Sequence, residues 1–530
     1  MFPVSYYLKL FYNFYMKRKI YTIIFLLSSY ISFSQSPEDA LRLSWYQLKG
    51  TARNQAIGGA MVSLGGDATA NHINPAGLAF FKTSDLFLTP GLQFGKTKSM
   101  FRETNSTAAG ETKFDLGTSG FVFGGFGRKA KNSFGITVTQ QANFNYNTYY
   151  KGVNDYSSYG EPLADEFAAS GLTIDQALLY TSTISIPTKM ALYTYLVDTV
   201  NVNGALQVIA RSENPSSRNQ ENMVESSGGI TEINLGWGSE ISKKWMAGIS
   251  LGINIINQER RTYFHESDAT GDDDNDFNFL TYDETFTLKG YGLNFRGGLI
   301  FRPKEYIRLG LAVHSPTWMP LKETTSSGFA ADLENLFGAG HGYDSVGMAT
   351  ITGASDKIES QYQLNSPTKI MISGSYVFRE VEDTRRQKGF ITLDIEYTNY
   401  KWMSYAPYDG EVNSFTKAPY EPYNEAIDAV YKGTFNFRLG GELKFNTIMA
   451  RAGFAYYTSP YKEEELKARK MFASGGLGYR HKGVFIDLTY VQRLNKDVSF
   501  PYRVNPPRAN TFADLKDNGG NVILTVGFKI

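Results

Sequence analysis

The chain has 530 residues, of which 42% are hydrophobic and 15% aromatic, with 37 Phe and 35 Tyr against 5 Trp. It contains no cysteine, which excludes a disulfide framework and thiolate metal sites. Its 53 basic and 52 acidic side chains give a formal charge of +1, so no basic field argues for a nucleic-acid partner.

The first element in chain order reads as an export leader. In MKRKIYTIIFLLSSYISFSQ, residues 16–35, a basic cluster (Lys17, Arg18, Lys19) precedes an apolar run from Ile20 to Leu27 and a small-x-small site at Ser32-Phe33-Ser34. The run falls short of the ~20 apolar residues a spanning helix needs, so cleavage after Ser34 is expected. Residues 1–15 add nothing to this signal, which makes Met16 the expected start and 1–34 the leader region. An exported, aromatic-rich chain with no later helix-length apolar stretch is either soluble all-β or an outer-membrane barrel.

Residues 35–84 do not alternate in polarity. They are rich in Ala and Gly, with a helical patch from Pro37 to Leu48 and breaks at Gly58-Gly59 and Gly65-Gly66. In NHINPAGLAF, residues 71–80, Pro75 cannot donate to a ladder and turns Asn74 away from helical angles. Such a segment is too short for a core of its own. Ahead of a first strand, the nearest place to bury its Ala, Leu and Phe side chains is the lumen of a barrel, so it is expected to act as a hatch.

From residue 85 onward the polarity alternates, as it must where successive side chains point to opposite faces. In WMAGISLGINI (245–255) the odd positions are Trp, Ala, Ile, Leu, Ile and Ile, and the even ones are Met, Gly, Ser, Gly and Asn. YGLNFRGGLIF (291–301), TFNFRLGGEL (434–443) and NVILTVGFKI (521–530) repeat the pattern. Strands are expected near 85–98, 114–128, 132–150, 229–241, 244–257, 286–301, 305–315, 368–378, 389–399, 433–444, 447–458, 470–480, 483–492 and 519–530. Short turns alternate with long polar connections, chiefly 151–228, 258–285, 316–367 and 400–432. Short turns at one rim and long loops at the other describe an all-β transmembrane antiparallel β-barrel of about fourteen strands, spanning 85–530. Hydrocarbon offers backbone groups no partner, so a sheet that crosses it must close and lose its edges. The short-turn rim is then periplasmic and the long loops extracellular.

Within that frame, strand parity turns Arg296, Arg308, Arg438 and Arg451 into the lumen. Arginine grips a carboxylate through two parallel hydrogen bonds, which makes them candidates for an acidic ligand, although pairing with Glu442, Asp394 or Asp67 is the stronger reading. Asn143, Asn145 and Asn147 share one face of the third strand. The acidic run Gly271 to Asp276 lacks the ligand spacing of a calcium loop and reads as solvated. The five histidines, His72, His265, His314, His341 and His481, are scattered without metal-ligand spacing. With no G-x-S-x-G elbow and no P-loop, neither an enzyme nor a cofactor is expected.

Ala60-Met61 through Gly65-Gly66-Asp67-Ala68-Thr69-Ala70, followed by Asn74-Pro75-Ala76-Gly77-Leu78, resembles the N-terminal hatch of the FadL/TodX family of outer-membrane transporters for long-chain fatty acids and other hydrophobic compounds. Segments 291–319, 391–400, 437–460 and 475–491 are similar in kind, so the likeness runs to near the C-terminus. The resemblance implies a fourteen-stranded barrel, passive uptake of apolar molecules past the hatch, and a lateral opening near the third strand, where Asn143, Asn145 and Asn147 become candidates for weak pairing. It further implies a monomeric protein of a Gram-negative outer membrane, in contact with its lipid and lipopolysaccharide. A general diffusion porin and a surface adhesin are the competing readings: the first requires an open lumen, the second places function in the long loops.

Overall fold

The alternation of WMAGISLGINI is realised as a wall. Trp245, Ile249 and Ile255 stand exposed on the outer face, while Met246, Ser250 and Asn254 are buried within. The computed structural model describes residues 36–47, 49–127, 131–338, 342–378, 388–408 and 417–530; the expected leader and His341 lie outside them.

Fourteen antiparallel strands form the wall, and several are interrupted. They are β1 (Asp85–Leu88 and Pro90–Phe101), β2 (Glu111–Leu116 and Ser119–Phe126), β3 (Asn132–Asn143 and Tyr146–Asn154) and β4 (Arg218–Glu240). Next come β5 (Trp245–Asp268), β6 (Phe279–Lys304), β7 (Ile307–His314 and Trp318–Asp332), β8 (Ile358–Asn365 and Lys369–Phe378) and β9 (Gly389–Asn399). The series ends with β10 (Gly433–Phe445), β11 (Ile448–Tyr457), β12 (Lys470–His481), β13 (Val484–Ser499) and β14 (Ala513–Lys529). β14 pairs with β1, Lys529 against Asp85 and Ile523 against Gly91, so the sheet closes on itself and has no end strand.

The strands reach further than the alternating cores suggest. β4, β5 and β6 are 23, 24 and 26 residues long, whereas a tilted strand crosses a bilayer in about 9–11. Stretch 258–285, expected to be a long connection, is therefore mostly ladder, with only 269–278 between strands. Stretch 316–367 is corrected in the same way: Trp318–Asp332 and Ile358–Asn365 continue β7 and β8 beyond a shared interruption. That interruption is Ser-Pro-Thr in both strands, at 315–317 and 366–368. Proline removes a ladder donor, but Thr317 N donates to Ser366 Oγ (2.8 Å) and Ser366 N to Thr317 O (3.1 Å), so the wall survives the break.

Between β3 and β4 the chain builds a cap of three helices, α4 (Gly160–Ser170), α5 (Ile174–Leu178) and α6 (Ile186–Tyr193), and a hairpin, Val197–Val202 with Ala205–Ala210. Phe167, Leu192 and Leu196 of the cap share an apolar cluster with Phe264, Leu280 and Phe329 on the tall strands.

Candidate functional site

Of the described residues, 36–47 and 49–81 lie inside the ring, bonded to inner faces of strands including β3, β4, β9 and β14. Three short helices punctuate the segment: α1 (Pro37–Arg42), α2 (Ala52–Ala56) and α3 (Ala70–Ile73). Ser36 Oγ and Thr51 Oγ1 cap the first two by accepting Asp39 N and Asn54 N. Ala52 N donates to Thr525 Oγ1 on β14 (2.8 Å), and Met61 N and Val62 N donate to Asp394 on β9 (2.9 and 3.1 Å). Asn71 Nδ2 donates to Thr137 Oγ1 on β3 (2.9 Å) and to Asn234 O on β4 (3.0 Å).

The Asn-Pro-Ala-Gly-Leu element is the centre of this plug. Asn74 Nδ2 donates to Val62 O (2.6 Å) and reaches Leu299 O and Leu311 O of β6 and β7 (3.3 and 3.4 Å), while its Oδ1 accepts Ala76 N (3.1 Å). Pro75 opens a 3-10 turn through Phe80. Ala76 packs with Met246 and Ile300 of the wall, and Leu78 with Phe87 and Val122. Gly77 lies where a Cβ would meet Ala70 Cβ at 2.8 Å.

The wall is carved to receive this shape. A Cβ on Gly298 would come within 1.7 Å of Asn74 Oδ1, on Gly248 within 2.3 Å of the Pro75 carbonyl carbon, on Gly310 within 2.3 Å of Val62 O, and on Gly453 within 2.1 Å of Gly58 N. These glycines cost strand propensity, and backbone-to-backbone contact with the plug is what they provide in return. Sequence reading saw them only as a small inner face.

His72, on α3, is fully buried and its Nε2–H donates to Lys49 O (2.6 Å). Burial, reinforced by the nearby Arg296 guanidinium, lowers its pKa to about 4. Nδ1 has no partner among the described residues, so a proton placed there gains no hydrogen bond.

On one side of the lumen the wall itself is incomplete. Glu111–Leu116 of β2 pairs with β1 from Leu116↔Pro90 to Glu111↔Gly95, but makes no ladder with β3; the β2–β3 ladder ends at Ser119↔Val138. β3 carries a bulge at Gln141, where Thr231 faces Gln140 and Ile230 faces Ala142, and its strand is interrupted at Phe144-Asn145. A bulge bends a strand and strengthens its twist, which here turns β3 away from β2. Side-chain amides span part of the gap: Gln140 Oε1 accepts Leu116 N (3.3 Å) and Asn147 Nδ2 donates to Glu111 Oε1 (2.8 Å). Further along, Phe101 and Tyr150 close the wall again with ring centroids 5.3 Å apart.

Behind this window is a cavity of about 620 Å³ bounded by β1–β5, β12–β14 and the plug with its helix α1. Trp45, Tyr46, Phe94 and Phe144 give it aromatic walls, interleaved with Gln93 and Asn143. α1 crosses it, with Asp39 held between Arg42 and Arg260 at 2.6 Å each and Glu38 paired with Arg503. Lys470 Nζ stands 4.0 Å from the Trp45 ring centroid. This arrangement suits a molecule with an apolar body, and among the described residues no cluster of His, Asp and Glu is placed to hold a metal.

The sequence candidates divide. Asn143, Asn145 and Asn147 line the cavity at the window: Asn143 and Asn147 keep their ladder with β4, opposite Gly229 and Glu225, and Asn145 lies in the interruption, where its N donates to Asn143 Oδ1 (2.9 Å) and closes a local turn. The four arginines face inward as parity requires, but none lines the cavity. Arg296 is bound to Glu232 and Asn234, Arg438 to Glu396 (3.0 Å), and Arg451 to Glu442 and Asp487 (2.6 Å each). Arg308 stacks on Phe80 of the plug at 5.0 Å. Pairing with lumen carboxylates, the stronger expectation, describes Arg296, Arg438 and Arg451 here, with Glu442 the foreseen partner of Arg451. Cations that do line the cavity, among them Arg42, Arg260, Lys470, Arg493 and Arg503, escape the sequence reading, since parity cannot tell which part of a lumen is empty.

No protein-family model matches the chain, and no curated protein matches it. Among solved structures it is similar to a FadL homologue of Pseudomonas aeruginosa, at 13% identity and a TM-score of 0.53, covering 92% of this chain and 99% of the other. The P. putida toluene transporter TodX and the Ralstonia pickettii toluene transporter TbuX align over 92% of this chain and 99% of theirs, at 11% and 13% identity and TM-scores of 0.49 and 0.48. The chain has the fold of the Pseudomonas aeruginosa FadL homologue: a closed barrel of fourteen strands.

Proposed function

We propose that the protein is a passive outer-membrane conduit for hydrophobic compounds, long-chain fatty acids among them, with the plug as its hatch. The supporting observation is the continuity of three features: a window in the wall between β2 and β3, a partly aromatic cavity behind it, and a plug that seals the lumen toward the short turns. The exposed apolar band on the outer face meets lipid, the short-turn rim lies in the periplasm and the tall strands and cap stand outside the cell. An apolar molecule rests in the cavity and leaves through the window into lipid, where its transfer from water is favourable. Hatch displacement opens the axial route.

Two measurements test this reading. Cells carrying the protein take up labelled oleic acid faster than cells without it, independently of added energy source, and the purified protein in planar bilayers passes no large steady current. Large steady currents favour a porin, and unchanged uptake removes the conduit.

A further inference from the structure

We propose that the short-turn rim is a binding surface for anionic phospholipid headgroups, formed by lysines placed at and just beyond the outward aromatic belt. The inference rests on the membrane orientation proposed above.

The placement recurs around the ring. Lys244 precedes Trp245, Lys304 lies two residues before Tyr306, Lys444 precedes Phe445, and Lys482 follows Tyr479 by three. Each of these aromatics is exposed on the outer face. Trp245 stacks on Phe301 across the β5–β6 ladder with centroids 4.4 Å apart, and Tyr306 packs on Tyr376 at 5.5 Å. Aromatic rings of this kind sit at headgroup depth. Lys244 and Lys482 lie nearer the turn than their aromatics and carry their ammonium groups to the phosphate layer, while Lys304 adjoins the turn that holds Tyr306 and Lys444 lies one residue inside Phe445.

Opposing charge is sparse there. Of the carboxylates in and beside these turns, Glu240 is engaged by Lys82 (2.9 Å) and Asp85 by Lys529 (3.2 Å), which leaves Glu305. Lys244, Lys304 and Lys482 are exposed, and no ion pair holds their ammonium groups among the described residues. Among the described residues these turns thus carry a local positive excess. Each Lys or Arg near an anionic surface adds to attraction, and screening confines the effect to about a Debye length. That range favours the adjoining leaflet over a soluble partner.

The test uses the full chain in nanodiscs of phosphatidylethanolamine with phosphatidylglycerol, ejected and read by native mass spectrometry. The wild type should retain phosphatidylglycerol over phosphatidylethanolamine on the order of tenfold. K244Q/K304Q/K482Q should even out that retention, and K357Q/K417Q/K467Q, on exposed lysines in the long connections, should leave it unchanged. Equal retention by the wild type, or full preference in the rim triple variant, overturns the proposal. Folding is followed by heat-modifiable gel mobility; if the triple variant misfolds, K244Q alone should lower the preference part-way, and a full preference there overturns the proposal equally. A chain that never enters the disc defeats the membrane reading instead, so the two failures are distinct.

Discussion

The two sides of the lumen are built on opposite principles. Toward β4–β8 and the β9–β10 connection, Leu41, Leu43 and Trp45 of the plug segment pack with Ile256, Phe286, Leu321 and Tyr405 in one apolar cluster. Toward β13 and β1–β3, the same segment meets amides and charges around an open cavity. One stretch of chain therefore serves as core on one side and as cavity lining on the other. The vacant side is also the side where the wall lacks a ladder, so packing, not barrel diameter, decides where a guest can rest.

The strongest way to break this contrast is to remove the plug. Deleting residues 49–81 should turn a barrel without steady current into one with a persistent pore, read in planar bilayers. Deleting Gln141 acts on the open side alone: without the bulge, β3 regains continuous pairing with β4 and can meet β2. Fatty-acid uptake should then fall on the order of tenfold, a loss of roughly 1.4 kcal/mol in transport efficiency, while heat-modifiable mobility is unchanged; normal uptake would remove the window from the route. Two neighbouring glycines sharpen the contrast between wall and plug. G298A should destabilise plug seating by about 1–3 kcal/mol, seen as protease access to 49–81, because its Cβ meets Asn74 Oδ1. G297A, with nothing within 4 Å, should leave that access unchanged. The smallest effect is acidic. The His72 ring is harder to protonate in the folded state, with a pKa of about 4 against 6.5 for an unperturbed ring. The unfolded chain therefore binds the extra proton first, and His72's contribution is complete above pH 6.5 and declines as pH falls toward 4. By pH 5.5 the loss is roughly 1.4 kcal/mol, and H72Q should flatten that part of the stability profile.

Much of the wall was legible because alternation is a direct imprint of one wet and one greasy face. Legibility failed where that imprint fades. Above the apolar band both faces of β4–β6 meet water or the cap, so 258–285 reads as loop although it is ladder. Pro316 and Pro367 read as strand ends, yet Ser366 supplies the missing partner from the neighbouring strand. The Asn-Pro-Ala-Gly-Leu element announced itself through proline and glycine, whose backbone demands are local. The arginines show the limit: parity fixed their inward direction and Glu442 lies directly across the β10–β11 ladder from Arg451, but Glu232 and Glu396 become partners of Arg296 and Arg438 only through the register of neighbouring strands far apart in sequence.

The glycine niches carry a consequence for assembly order. Asn74, Pro75 and Val62 are seated against backbone on β5, β6 and β7, and Ile57 against β10 and β11, with Ile530 N bonded to Ser84 O where the first and last strands meet. Hairpins that gather around the stopper before the seam between β1 and β14 is sealed meet these niches one strand at a time.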